Sequence, residues 1–215
     1  MTLVLHAHPM SSFCQKALMA LYETETRFAL NLVDFGNRAA RDSLVSIWPV
    51  GGLPVLEDKR REEVVADASA IIEYVDLFYP GQIRLLPFNP VAAWRARAED
   101  RFFDVNVQAP VQKIVTDRLC PPGRDDPYGV SQAKAQLRAA LDLLERTMAD
   151  RIWATGDTFS LADCAAGPAL WYANVVMPFE RRHPNAAAYL DRLEQRPSFA
   201  RVIKDAMPYQ DLLAV

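Results

Sequence analysis

Ser11, Ser12 and Cys14 stand within four residues of one another, where the apolar run Leu3-Val4-Leu5 has just given way to residues spaced as a helix. Hydroxyls and a thiol at the start of a helix meet unbonded N–H groups and the positive end of the helix dipole, so an anion is favoured there. Farther along, Gly51-Gly52-Leu53-Pro54-Val55-Leu56-Glu57-Asp58 sets a proline at the head of an apolar strand. An X-Pro bond is the kind that can be cis, turning the backbone of the preceding residue outward. Hydroxyl donors beside an outward stretch of backbone describe a site for a small thiol. Cys14 is the rival within the same segment. A helix end lowers a thiol's pKa, although a lone cysteine more often packs as a small core residue.

The elements that must position these residues can be read from spacing. Phe13, Ala17, Leu18 and Leu21 predict a helix from about Ser12 to Glu23, and Phe28 to Val33 a second strand, parallel to the first because a helix separates them. Residues 38 to 47 read as a weak helix or a loop. Val55-Leu56 and Val64-Val65 form a hairpin around the charged, solvated turn Glu57 to Arg61, and Ile71, Ile72 and Val75 belong to a helix from Asp67 to about Phe78. The order β-α-β-α-β-β-α is that of a thioredoxin-like domain, here residues 1–80. A proline-punctuated linker, 81–90, follows, and 91–215 read as an all-helical domain.

In that second half, Trp94, Ala98, Phe102, Val105 and Ala109 predict an apolar stripe, with Arg95, Arg97, Asp100, Arg101 and Asp104 on a wet side. Leu137, Leu141, Leu144 and Met148 repeat at helical spacing, and Cys120 to Pro127 reads as a loop. Further helices are expected at about 161–174, at 184–195 and from Pro197. Ser160 and Asp163 form a capping-box pattern, a folding signal with no catalytic role.

Composition narrows the function classes. A net charge of −3 gives no electrostatic reason for a nucleic-acid partner. No run approaches the length of a membrane span, and Met1 to His6 lacks the pattern of a secretory signal, so a cytoplasmic protein is expected. Three unclustered cysteines (Cys14, Cys120, Cys164) suggest neither a disulfide framework nor a metal site.

The chain resembles the cytosolic glutathione S-transferase family. The resemblance rests on the Ser-x-Phe-x-x-Lys start (Ser11 to Lys16), the Pro-Val-Leu-x-Asp strand (Pro54 to Asp58), Ala70-Ile71-Ile72-Glu73-Tyr74, the linker Leu85-Leu86-Pro87-Phe88-Asn89-Pro90, and Ser160-Leu161-Ala162-Asp163, in the family's order. It spans nearly the whole chain. It implies glutathione as co-substrate in the first domain, a pocket for a small hydrophobic electrophile in the second, no metal, and usually a homodimer. The serine pair is most similar to the serine-type branches, such as the zeta and tau classes, or to a related bacterial class. Ser11 matches the catalytic position, with Ser12 as alternative donor or cap. The backbone of Leu53-Pro54 would hold the cysteinyl part of glutathione, and Asp67 and the N–H of Ala68 its γ-glutamyl end.

A thiol with pKa near 8.5 needs roughly 2.7 kcal/mol of preferential thiolate stabilisation to fall by about two units. One hydroxyl donor and a helix dipole act in that direction. Two departures weigh against tight binding. The family's usual serine after Asp67 is Ala68, with a serine displaced to Ser69, and its usual lysine before Leu53 is Gly52. Arg38, Arg41 or His8 could compensate. The alternatives are a non-catalytic family member acting as an interaction protein, and a thiol oxidoreductase using Cys14. His6, Trp94, Phe102, Phe103, Trp171 and Tyr172 read as packing residues, and Asn106 and Val107 as candidates for the electrophile pocket.

Overall fold

A computed structural model describes residues 2–34, 36–179 and 181–209. The end of the expected helical domain, 210–215, lies outside them. The chain forms β1 (Leu3–Ala7), α1 (Ser12–Glu23), β2 (Ala29–Leu32), α2 (Arg38–Ile47), β3 (Val55–Asp58), β4 (Glu63–Ala66) and α3 (Ala68–Phe78). The four strands make one mixed sheet in the order β2-β1-β3-β4, with β1 and β2 parallel and the other pairs antiparallel. This is the thioredoxin-like arrangement expected from the element order. The ambiguous segment 38–47 is a helix, capped by the Asn37 side chain, with Leu44 buried and Ala40 and Ile47 partly buried against Val33 and Val55.

Asp58, last residue of the Pro-Val-Leu-x-Asp strand, is 1 % exposed and ties this half together. Its carboxylate accepts the N–H groups of Arg60 and Arg61 in the hairpin turn and the hydroxyls of Tyr74 and Tyr79 at the end of α3. Buried carboxylates survive only with such partners.

The remaining elements are helical: α4 (Pro90–Phe102), a π-helical segment (Phe103–Gln108), α5 (Ala109–Arg118), α6 (Pro127–Thr147), α7 (Leu161–Val176), α8 (Pro184–Glu194) and α9 (Pro197–Ala206). α7 is the axis of this half. It is almost wholly buried and packs against α1 on one side and against α4, α5 and α8 on others. Gly167 permits the close approach to α1 and α9, since a Cβ there would press on Met19 and Phe199 at 3.2 and 3.3 Å. Asp163 accepts the N–H of Ser160, closing the expected capping box, and also holds the N–H of Ala154 and the hydroxyl of Tyr189.

One expectation is overturned. Trp94 is 64 % exposed, and Val105 is exposed too, so the expected stripe is out of phase. The inward stripe is Ala93, Ala96, Asp100, Phe103, Asp104 and Val107. Two aspartates hid it. Lys16, itself 1 % exposed, lies 2.7 Å from the Asp100 carboxylate and 2.8 Å from that of Asp104, so residues assigned to solvent are core. The π segment shifts the phase again. Pro110 lacks an N–H and crowds the carbonyl four residues back, and the turn ahead of it widens.

Candidate functional site

The site is assembled at one end of the central strands of the sheet. In β1 and β3 His6 lies opposite Val55, and in β3 and β4 Val55 lies opposite Ala66. Continuing those registers by one residue sets Pro54 opposite Ala7 on one side and Asp67 on the other. The end of β1, the Leu53-Pro54 segment and the start of α3 therefore converge, and the turn after β1 carries Ser11. The Leu53–Pro54 peptide is cis. Leu53 enters no hydrogen bond of the turns, loops and caps among the described residues.

Ser11 is the N-cap of α1, in extended backbone conformation, and its Oγ accepts the N–H of Cys14 at 3.4 Å. A hydroxyl that accepts from a helix amide is a better donor for its own proton. That proton can turn to the neighbouring Cys14 sulfur, whose thiolate form the Ser11 hydroxyl favours. Ser11 and Ser12 share a cavity of about 240 Å³ with Met10, with Tyr172 of α7, and with Gln108, Val111, Gln112, Val115 and Leu119. The last five recur at helical spacing and form one wall. Leu53, Asp67 and Ala68 do not line this cavity; they sit on the sheet side of the serines.

Asn106 and Val107, the candidates for the electrophile pocket, do not line this cavity. Val107 is fully buried in the core, and the cavity wall belongs to the stripe that begins one residue later. The shift follows from the extra residue in each turn of the π segment.

Asp67 has φ 77° and ψ 133°, a conformation that side-chain-bearing residues rarely adopt. Its Oδ1 accepts the N–H groups of Ser69 and Ala70, capping α3. Ala68 is buried and offers no hydroxyl. Ser69 does not replace it, because its Oγ accepts from Lys16 and donates to Asp100, both at 2.8 Å. Gly52 is exposed with open space around its Cα. Arg38 and Arg41 stand exposed on α2, Arg38 beside Asp42 at 3.7 Å, and neither bonds to this end of the sheet among the described residues.

Cys14 is wholly buried, and its Sγ accepts the His8 N–H at 3.5 Å. Burial pushes its thiol up to about 11, against the opposing hydrogen bonds from Ser11 and His8. Such a group is a poor nucleophile. His8 takes the N–H of Met10 on Nδ1, and burial lowers its imidazole pKa, so it serves as a neutral acceptor. His6 is held between Glu57 and Asn31. Tyr172, read as a packing residue, also lines the cavity and donates to the Met10 carbonyl. Its only signal is a lone hydroxyl in the alanine-rich helix Leu161–Val176.

The family profile described as "Glutathione S-transferase, N-terminal domain" matches residues 5–82, and "Glutathione S-transferase, C-terminal domain" matches residues 92–192. The chain belongs to the glutathione S-transferase family. Glutathione S-transferase GstB of Escherichia coli (strain K12) is 28 % identical over 200 residues, spanning 90 % of this chain and 93 % of its own. Glutathione S-transferase 3 of Zea mays is 28 % identical, over 94 % and 93 % of the two chains. Among solved structures, a glutathione S-transferase of Methylobacterium radiotolerans in complex with glutathione sulfonate superposes with a TM-score of 0.80 at 27 % identity, over 93 % of each chain. One from Methylobacillus flagellatus with glutathione bound shares the fold, with a TM-score of 0.86 at 23 % identity over 93 % and 98 %. The family's fold, a thioredoxin-like half followed by a helical half, is the one described above.

Proposed function

We propose that this family member is a glutathione transferase that binds glutathione at the end of the central strands and directs its sulfur across Ser11 into the cavity beside α5. The observation that carries this reading is the Ser11 hydroxyl, which accepts a helix amide and lines a cavity of mixed polar and apolar walls beside α5. The unbonded backbone of Leu53 suits an extended tripeptide, which would add to the sheet like a short strand. Asp67 meets the ligand's ammonium, and the N–H of Ala68 at the start of α3 meets its carboxylate. The strained backbone of Asp67 fits a ligand-holding position, where such conformations concentrate. The relative crystallised with glutathione sulfonate supports the choice of ligand.

Ser11 does not form a bond to the substrate in this mechanism. It donates to the sulfur, enlarging the thiolate population at neutral pH and aiming it at a neutral electrophile. A hydrogen bond to a charged group is worth about 1.5–3 kcal/mol, so Ser11→Ala should lower conjugation turnover roughly ten- to a hundredfold. Glutathione affinity, carried by the backbone and α3, should change little. Steady-state kinetics with a small aromatic electrophile and calorimetric titration with glutathione make the check. Unchanged turnover would move the donor to Ser12.

Ala68 and Gly52 favour a second reading, a glutathione-transferase-like interaction protein, because two contacts for the tripeptide's charged ends are missing. That reading requires no glutathione binding, and the same titration decides between the two. The buried, high-pKa Cys14 argues against the thiol oxidoreductase. Free cysteines, two of them buried, fit the reducing cytoplasm as location.

A further inference from the structure

The turn that delivers Ser11 is held by side chains that reach it from elsewhere. Gln15 Nε2 donates to the Pro9 carbonyl at 2.7 Å, and the Tyr172 hydroxyl donates to the Met10 carbonyl at 2.8 Å. Gln15 also reaches the Tyr172 oxygen at 3.4 Å, joining the two into one chain of donors. Both side chains are buried, and Tyr172 stands 162 residues from Met10, in the opposite half of the molecule. Its ring is fixed edge-on by Trp171 at 4.8 Å. The Met10 carbonyl and the Ser11 N–H belong to one rigid peptide plane. With the carbonyl held by Tyr172 and the N–H donating to the His8 carbonyl at 3.0 Å, that plane cannot rotate. The backbone from which the Ser11 side chain leaves is held by it.

We propose that Tyr172 is a positioning residue for Ser11, through which the helical half sets the geometry of the thiol site. The inference rests on the transferase reading for its kinetic consequence but not for its structural one. Burial keeps the phenol protonated through any working pH, so the donor is always present. The ring also walls the cavity, so Tyr172→Phe keeps the wall and removes only the tether.

The test has two arms. Amide hydrogen exchange on the free protein should show faster exchange at Ser11 and Cys14 in Tyr172→Phe, with α6 unchanged. In the kinetic arm, turnover should fall about tenfold, the equivalent of one net hydrogen bond, with KM for the electrophile nearly constant. The thiol of bound glutathione, followed by its thiolate absorbance, should titrate higher. In the Ser11→Ala background the phenylalanine change should have no further kinetic effect. Fluorotyrosine at 172, which retains the donor, should preserve turnover. Unaltered exchange at Ser11, or an equal kinetic loss with and without Ser11, overturns the proposal. Absence of glutathione binding in the parent protein overturns the transferase reading instead, and the exchange arm still decides the tether.

Discussion

At the scale of single residues, the same atom often serves folding and chemistry. Ser11 caps α1 and, in the proposed mechanism, donates to sulfur. The two roles cooperate, because the amide it accepts polarises the hydroxyl. Asp67 is similar. Its Oδ1 caps α3, leaving the N–H of Ala68 at the head of the helix for a ligand carboxylate. Asp67→Ala should cost about 1 kcal/mol of stability, the usual loss of an N-cap. It should also weaken glutathione binding through loss of the ammonium contact. A thermal melt and a titration check both. A stability loss with unchanged affinity would make Asp67 a cap alone.

At the scale of elements, α1 and α4 are locked by charge. Lys16 from α1 enters between Asp100 and Asp104 on the α4 side, with Ser69 of α3 completing the cluster. Removing one partner of a buried pair leaves an uncompensated charge, so Lys16→Met should destabilise by about 3–5 kcal/mol. The loss carries a pH signature. Burial already holds the Asp100 carboxyl above its ordinary value, opposed by Lys16, and removing Lys16 pushes it higher. In the variant the folded state therefore binds more protons than the unfolded state between the ordinary carboxylate range and that raised value. Stability of the variant should rise as pH falls through this window. Denaturant melts at several pH values check it. A deficit independent of pH would show that lost packing, not charge, is the cause.

At the scale of the whole molecule, an open hollow of about 730 Å³ lies between α3 and α4. Leu77 and Phe88, on its rim, are 66 % and 84 % exposed. Exposed large apolar groups clustered around a hollow mark an association surface. The homodimer that the family resemblance implies would use this face. Sedimentation should show a dimer that Leu77→Arg dissociates into folded monomers. A parent protein monomeric at every concentration would refute the dimer, and a variant still dimeric would move the interface elsewhere.

Local signals in the chain were enough for the architecture. Caps, proline breaks and hydrophobic periods act within a few residues, so the order of strands and helices, the Leu53-Pro54 corner and the cap at Ser160 were all legible. Ser11 could be singled out because a hydroxyl at a helix start has chemistry wherever the rest of the chain lies. Other features depended on partners distant in sequence. Asp100 and Asp104 read as solvent-facing because their neutralising cation, Lys16, comes from another helix. Ser69 read only as a serine displaced from the ligand position, and its place in that same cluster comes from folding. Tyr172 read as packing, since the one carbonyl its hydroxyl bonds is brought to it by folding. Periodicity records which face of a helix is buried, whereas tertiary packing decides which buried polar groups find each other.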